Sequence, residues 1–133
     1  MKYILLIVGD ESRFDNMSQE DSAARMKLWD EYTQELVEAG AFVSGEGLQP
    51  GSTATTLRVE GGERILTDGP FADTKEQVGG FYVVDCQNLD EAIRWAEKLP
   101  STRFGLSTEI RPVMDYDAYA ARAASATGEH AAS

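Results

Sequence analysis

Thiols, imidazoles and positive charge are scarce in this chain. Its 133 residues include one cysteine, Cys86, and one histidine, His130. A single thiol allows no internal disulfide, which points to a reducing, cytoplasmic setting, and it excludes metal sites built on several thiolates. The histidine stands near the chain end in an Ala-rich tail, so a Ser-His-Asp or Cys-His arrangement has no suitable imidazole. Lysine and arginine number 12 against 23 aspartates and glutamates, a formal net charge of -11. Such a surface repels phosphate backbones, and nucleic acid is not an expected direct partner. Long apolar runs are missing too. The first stretch, "MKYILLIVGDES", is apolar for only about six residues, shorter than a signal core or a membrane span. No G-x-G-x-x-G follows a strand, and Glu46 in "SGEGLQPG" would repel a pyrophosphate. The acids Asp10, Glu11 and Asp15 do not have EF-hand spacing. No metal or cofactor is expected.

What is present suits one globular domain. Hydrophobic residues make up 42% of the chain, enough to build a core at this length. "KYILLIVG" reads as a strand stopped by Gly9-Asp10. Ser18 is placed to cap a helix over residues 18–39, with Glu20 and Asp21 in its first turn and Gly40 just past its end. Met26, Trp29, Thr33, Leu36 and Val37 supply its apolar period. "AFVSGEGLQPG" reads as a strand closed by a Pro-Gly turn. Thr55–Glu60, Gly61-Gly62 and Glu63–Thr67 form a hairpin. "DGPFADTKE" is a loop, and "GGFYVVDC" is a further strand. Asn88 and Glu91 match a capping box for a second helix. Its stripe is Leu89, Ala92, Ile93, Ala96 and Leu99, it ends at Pro100, and Asp90 can pair with Arg94. "LSTEIRPVM" is a last strand whose Pro112 marks an edge. A short helix through about Ala124 is expected beyond residue 115.

The order is β-α-β, hairpin, β-α-β. It predicts an α+β, ferredoxin-like protomer with an added β-hairpin, an antiparallel sheet and two helices on one face. "YILLIV" and "FYVV" are nevertheless apolar on both faces. Two helices cannot cover both, so a second copy packed sheet to sheet is expected, giving a symmetric homodimer.

The segment "DGPFADTKEQVGGFYVVDCQNLDEAIRWAEKLP", followed by "EIRPVM", resembles the YCII-related, DGPF-type domain of the dimeric α+β barrel superfamily. "YILLIVGDE" and "AGAFVSGEGL" are similar as well. The resemblance covers residues 1–115 and leaves 116–133 as a separate tail. It implies a dimer with facing sheets. Some relatives use a His-Asp pair in a cleft between helix and sheet. Trp29 falls where their first-helix histidine would stand, and an indole cannot exchange a proton. Asp68 would be the other half of that cleft. The resemblance also implies a link to sigma-factor-dependent transcription, with a sigma factor as partner.

Asp68 therefore has three readings. It can be a structural latch, because Asp-Gly-Pro is good turn chemistry and Phe71 can anchor the loop. It can border a small-molecule site with Trp29, Gly69, Pro70, Phe71 and Phe81, where Lys75 would meet an anionic ligand. It can be a general acid or base in a lyase- or isomerase-like enzyme, since an apolar pocket raises a carboxyl pKa. Lys75 and Glu76 can also be a plain solvated pair. Gly79-Gly80 would admit close approach of a backbone or a ligand.

Overall fold

The computed structural model describes residues 1–72 and 74–129, with side chains described through residue 125; His130 lies outside that range. The expected strands form β1 (Lys2–Asp10), β2 (Phe42–Gly47), β3 (Thr55–Glu60), β4 (Glu63–Asp68), β5 (Glu76–Asp85) and β6 (Ser107–Pro112). The helices are α1 (Gln19–Glu38), α2 (Leu89–Glu97), α3 (Pro100–Arg103) and α4 (Tyr116–Glu129). A 3-10 turn, Glu11–Phe14, joins β1 to α1 where the sequence suggests only a polar loop.

Helix boundaries follow their caps. The Ser18 hydroxyl accepts from the Asp21 amide at 3.0 Å. At the other end, Gly40 takes φ +70. Its amide bonds the Val37 carbonyl, and the Ala41 amide bonds that of Leu36. Those two bonds close a Schellman turn that needs a residue tolerant of positive φ. In α2 the Asn88 side chain accepts from the Glu91 amide at 3.0 Å. The Glu91 carboxylate reaches back to the Gln87 amide at 2.8 Å, a capping box displaced by one residue. Pro100 stops α2 and also opens α3 at its first turn, where a missing N–H is harmless.

Four strands form one antiparallel sheet in the order β2-β5-β1-β6, and β3 pairs only with β4. The chain is thus α+β, with helices on one face of an antiparallel sheet and an added hairpin. Pro112 lies on the edge strand β6, opposite Tyr3 of β1. Inward residues alternate along the central strands: Tyr3, Leu5 and Ile7 from β1, Tyr82 and Val84 from β5. They pack under Tyr32 and Leu36 of α1, Ala92 and Ala96 of α2, and Leu99. The opposite alternation, Ile4, Leu6, Phe81 and Val83, is only half-buried. Every residue of β4 is exposed, and Leu57, Val59 and Leu66 of the hairpin are exposed apolar side chains.

Several expectations need correction. Met26 and Val37, read as core, are 66% and 50% exposed. The apolar arc of α1 is wider than one stripe, and the sheet takes the part centred on Tyr32 and Leu36. Tyr32 is selected because its ring meets Tyr82 edge-on and its hydroxyl donates to the Trp95 carbonyl at 2.9 Å. Leu89 and Ile93 of α2 are also largely outside the core. Small Ala92 and Ala96 let α2 approach the sheet closely instead. Neither Asp90–Arg94 nor Lys75–Glu76 is among the ion pairs of the described residues, which are the amino terminus with Asp85 and Lys98 with Glu35. Strand β5 begins at Glu76, ahead of the expected Gly79, and a register shift sets Ile7 opposite Gly80 but Val8 opposite Val78. Gly79 is the extra residue of that bulge. A Cβ on Gly80 would lie 2.9 Å from the Glu46 carbonyl oxygen, so the close approach expected at this glycine pair is that of the β2 backbone.

Candidate functional site

A cleft of about 790 Å³ opens between α1, the 3-10 turn and the glycine-bearing ends of β2 and β5. This is an ordinary size for a small-molecule site. Its floor is Ile7 with Gly45, Gly47, Gly79 and Gly80; the space a Cβ would need is open at Gly47 and Gly79 and is taken by the Tyr82 ring at Gly45 and by the Glu46 carbonyl at Gly80. Helix α1 contributes Arg25, Met26 and Trp29 to one wall. The Trp29 ring stacks on Tyr82 at 6.0 Å and 14° and meets Tyr32 edge-on at 6.4 Å. The Tyr82 hydroxyl shares a 2.6 Å hydrogen bond with Thr33. Burial raises the pKa of both tyrosines, so they remain neutral phenols.

The 3-10 turn brings charge. One Asp10 carboxylate oxygen accepts from both the Ser12 hydroxyl at 2.7 Å and the Ser12 amide at 3.0 Å. Those bonds, hydroxyl first, hold Asp10 below the usual carboxylate range. Both Glu11 oxygens accept from the Gly51 amide, at 3.1 and 3.0 Å, tying the turn to the segment after β2. Arg25 lies over the Phe14 ring at 3.6 Å. Arg13 donates to the Phe104 carbonyl at 3.0 Å, so turn and α3 are held together.

The sequence candidates are divided among three places. Trp29 and Phe81 border the main cleft. Pro70 and Lys75 border an adjoining hollow of about 300 Å³, which shares Asp10, Glu11 and Ser12 with it. Asp68, Gly69 and Phe71 line neither. Asp68 ends the exposed strand β4, and Phe71 is 78% exposed with Arg58 over its ring. The hairpin leaves the four-stranded sheet and carries them away from Trp29. The Asp-Gly-Pro turn is nevertheless latched, through backbone. The Gly69 amide donates to the Ala54 carbonyl and the Thr56 hydroxyl to the Gly69 carbonyl, each at 2.8 Å. Among the described residues no hydrogen bond to the Asp68 carboxylate is seen; the residue two further on is Pro70, which has no N–H to offer. Gln77 pins the rest of the loop by donating to the Ala72 and Thr74 carbonyls.

Asp10, Phe14, Arg25 and Tyr82 were not among the candidates, although all four border the cleft and Arg25 is the one basic residue of its lining. The only sequence signal for them was indirect. Asp10 ends a strand beside a serine two residues on, and Arg25 interrupts the apolar side of α1. Cys86 is buried, and burial ahead of the nearby Glu91 and Asp85 raises its pKa. Among the described residues no three His, Cys, Asp or Glu side chains cluster as a metal site. No described helix is long and apolar enough to cross a membrane.

The profile of the YCII-related domain matches residues 1–117. The chain belongs to the YCII-related domain family. An uncharacterised protein of Rhizobium meliloti strain 1021 is 42% identical over 120 residues, covering 87% of this chain and 94% of the relative. A solved structure, 5-chloro-2-hydroxyhydroquinone dehydrochlorinase from Burkholderia phenoliruptrix AC1100 in complex with 2,5-dihydroxybenzoquinone, is 19% identical with a TM-score of 0.46. That likeness covers 86% of this chain and 94% of the other.

In this YCII-related domain the Asp10–Ser12 bonds favour the ionised carboxylate, so they stabilise the fold above the unfolded pKa, about 3.9, and fade as pH falls through the lower folded value. Asp10→Asn should therefore destabilise the domain at pH 7 and by less at pH 3, measured by urea unfolding. Equal destabilisation at both pH values would show that the charge of Asp10 is not what the turn uses.

Proposed function

We propose that the protein binds a small organic molecule in the cleft between α1 and the sheet. The observation that carries this reading is the cleft itself: about 790 Å³, one wall of Trp29, and a few charged groups from α1 and the 3-10 turn. Aromatic walls with sparse, placed polar groups are the usual character of such sites. Lys75 and Pro70 belong to this reading as the side of the adjoining hollow. The working form is a cytoplasmic homodimer closed over the half-exposed Ile4, Leu6, Phe81 and Val83, with Glu109 and Arg111 opposite Leu6 and Ile4 on β6. Pairing of like surfaces about a two-fold axis would let Glu109 and Arg111 meet their opposites.

The enzyme alternative gives proton transfer to Asp68. It requires Asp68 to reach a cleft other than the one in its own protomer. Asp68 shares a ribbon face with Leu57 and Leu66, because Thr55 pairs with Asp68 and Leu57 with Leu66. Whatever covers those exposed leucines also meets that carboxylate. Contact with a sigma factor is the regulatory alternative, and the same exposed hairpin would be its surface.

Chemical-shift mapping with a fragment library tests the main reading. Hits should move the Trp29 indole N–H and the amides of Gly45, Gly79 and Gly80, in a particle sedimenting at twice 14.6 kDa. Shifts confined to the hairpin, with the cleft unmoved, would sink the cleft reading and favour a protein-contact role.

A further inference from the structure

Arg25 is held where a cation is poorly served. Its guanidinium is packed between Phe14, 3.6 Å from the ring centroid, and Phe104, at 5.4 Å. Its Nε is sealed from solvent and has no hydrogen-bond partner. No ion pair of the described residues includes it. Burial alone accounts for its lowered pKa. Arg25 is half-buried, and a charge partly withdrawn from water without a counter-charge raises the free energy of the fold. The ring faces recover part of that, since guanidinium stacks on aromatics and is weakly hydrated. They do not replace an anion. No described arginine forms an ion pair with a carboxylate; what sets Arg25 apart is a side-chain nitrogen sealed from water with no partner.

The carboxylates that border the same cleft do not supply one. Asp10 is committed to Ser12 and Glu11 to the Gly51 amide. Asp15 and Glu46 are exposed, where water screens them. Beside Arg25, one helical turn further along α1, Trp29 presents a flat apolar surface backed by Tyr82. A fork of donors fixed by two rings, next to an indole wall, is preorganised for one kind of guest.

Resting on the cleft reading above, we propose that the cleft takes a small organic anion with a flat apolar body, such as an aromatic carboxylate, with Arg25 as its counter-charge. The carboxylate receives the unspent donors of the guanidinium, and the ring lies against Trp29. The chain's net negative charge repels anions at long range, so selectivity falls on this single cation.

The full chain is titrated with benzoate and salicylate, each against its neutral amide, and binding is followed at the Trp29 indole N–H. Each acid should bind about tenfold or more tightly than its amide, the scale of a charge-assisted bidentate pair. Arg25→Gln should erase that preference. Arg25→Met should melt at the wild-type temperature or higher, because it removes a half-buried charge whose Nε has no partner. Equal binding of acid and amide by the wild type, or a preference that survives Arg25→Gln, would overturn the anion assignment while leaving the cleft reading intact. A melting temperature lowered by several degrees in Arg25→Met would make Arg25 a structural clip and overturn it as well. Absence of any binding in the cleft by acids and amides alike would bring down both readings.

Discussion

The contact between Trp29 and Tyr82 joins the two halves of this molecule. Tyr82 stands on a central strand, with β2 on one side and β1 on the other. Trp29 and Tyr32 descend on it from α1, one ring stacked and one edge-on. Thr33 takes the Tyr82 hydroxyl, so the phenol has a partner where its apolar ring is buried. This packing fixes the height of α1 above the sheet. Towards the start of the helix nothing comparable fills the gap, because the strands beneath carry glycines. The same contact therefore anchors the helix and makes the wall of the cleft.

The 3-10 turn completes the enclosure. It is short and polar, and its order comes from outside itself: Glu11 to the Gly51 amide, Arg13 to the Phe104 carbonyl, Phe14 edge-on to Phe104. Exposed pairs of this kind contribute little to global stability one by one. Together they place Asp10 and Arg25 at the opening between helix and sheet. The two are treated differently by their surroundings. Asp10 is partnered, whereas Arg25 is stacked and half-buried, with its Nε unpaired. Imperfect satisfaction of a charged group next to a cavity is where structure and function are most closely linked.

Most of the fold was legible in the sequence. Ser18, Gly40, Asn88 and Pro112 each act locally, so their meaning survives without knowledge of the tertiary structure. The hairpin could be read from Gly61-Gly62 between two β-rich runs. The phase of α1 could not, because an arc from Met26 to Val37 offers more apolar surface than one sheet face can take. The site was legible only in part. The conspicuous Asp-Gly-Pro-Phe segment drew the candidates towards Asp68 and Phe71, and Asp68 and Phe71 line no part of this chain's cleft. Asp10 and Arg25 gave no motif. Their importance comes from bordering one cleft, one from a turn and the other from a helix, which spacing along the chain does not encode. Trp29 and Phe81 both border the cleft, but the ring that stacks on Trp29 belongs to the next residue, Tyr82.

A double-mutant cycle with Trp29→Ala and Tyr82→Ala, measured by urea unfolding, tests this most directly. If the stacked pair docks α1 on the sheet, the two substitutions should be coupled by about 0.5–1.5 kcal/mol, the double mutant losing less than the sum of the singles. Losses that add within about 0.3 kcal/mol would mean the rings act independently, and the helix would have to be held over the cleft by something else.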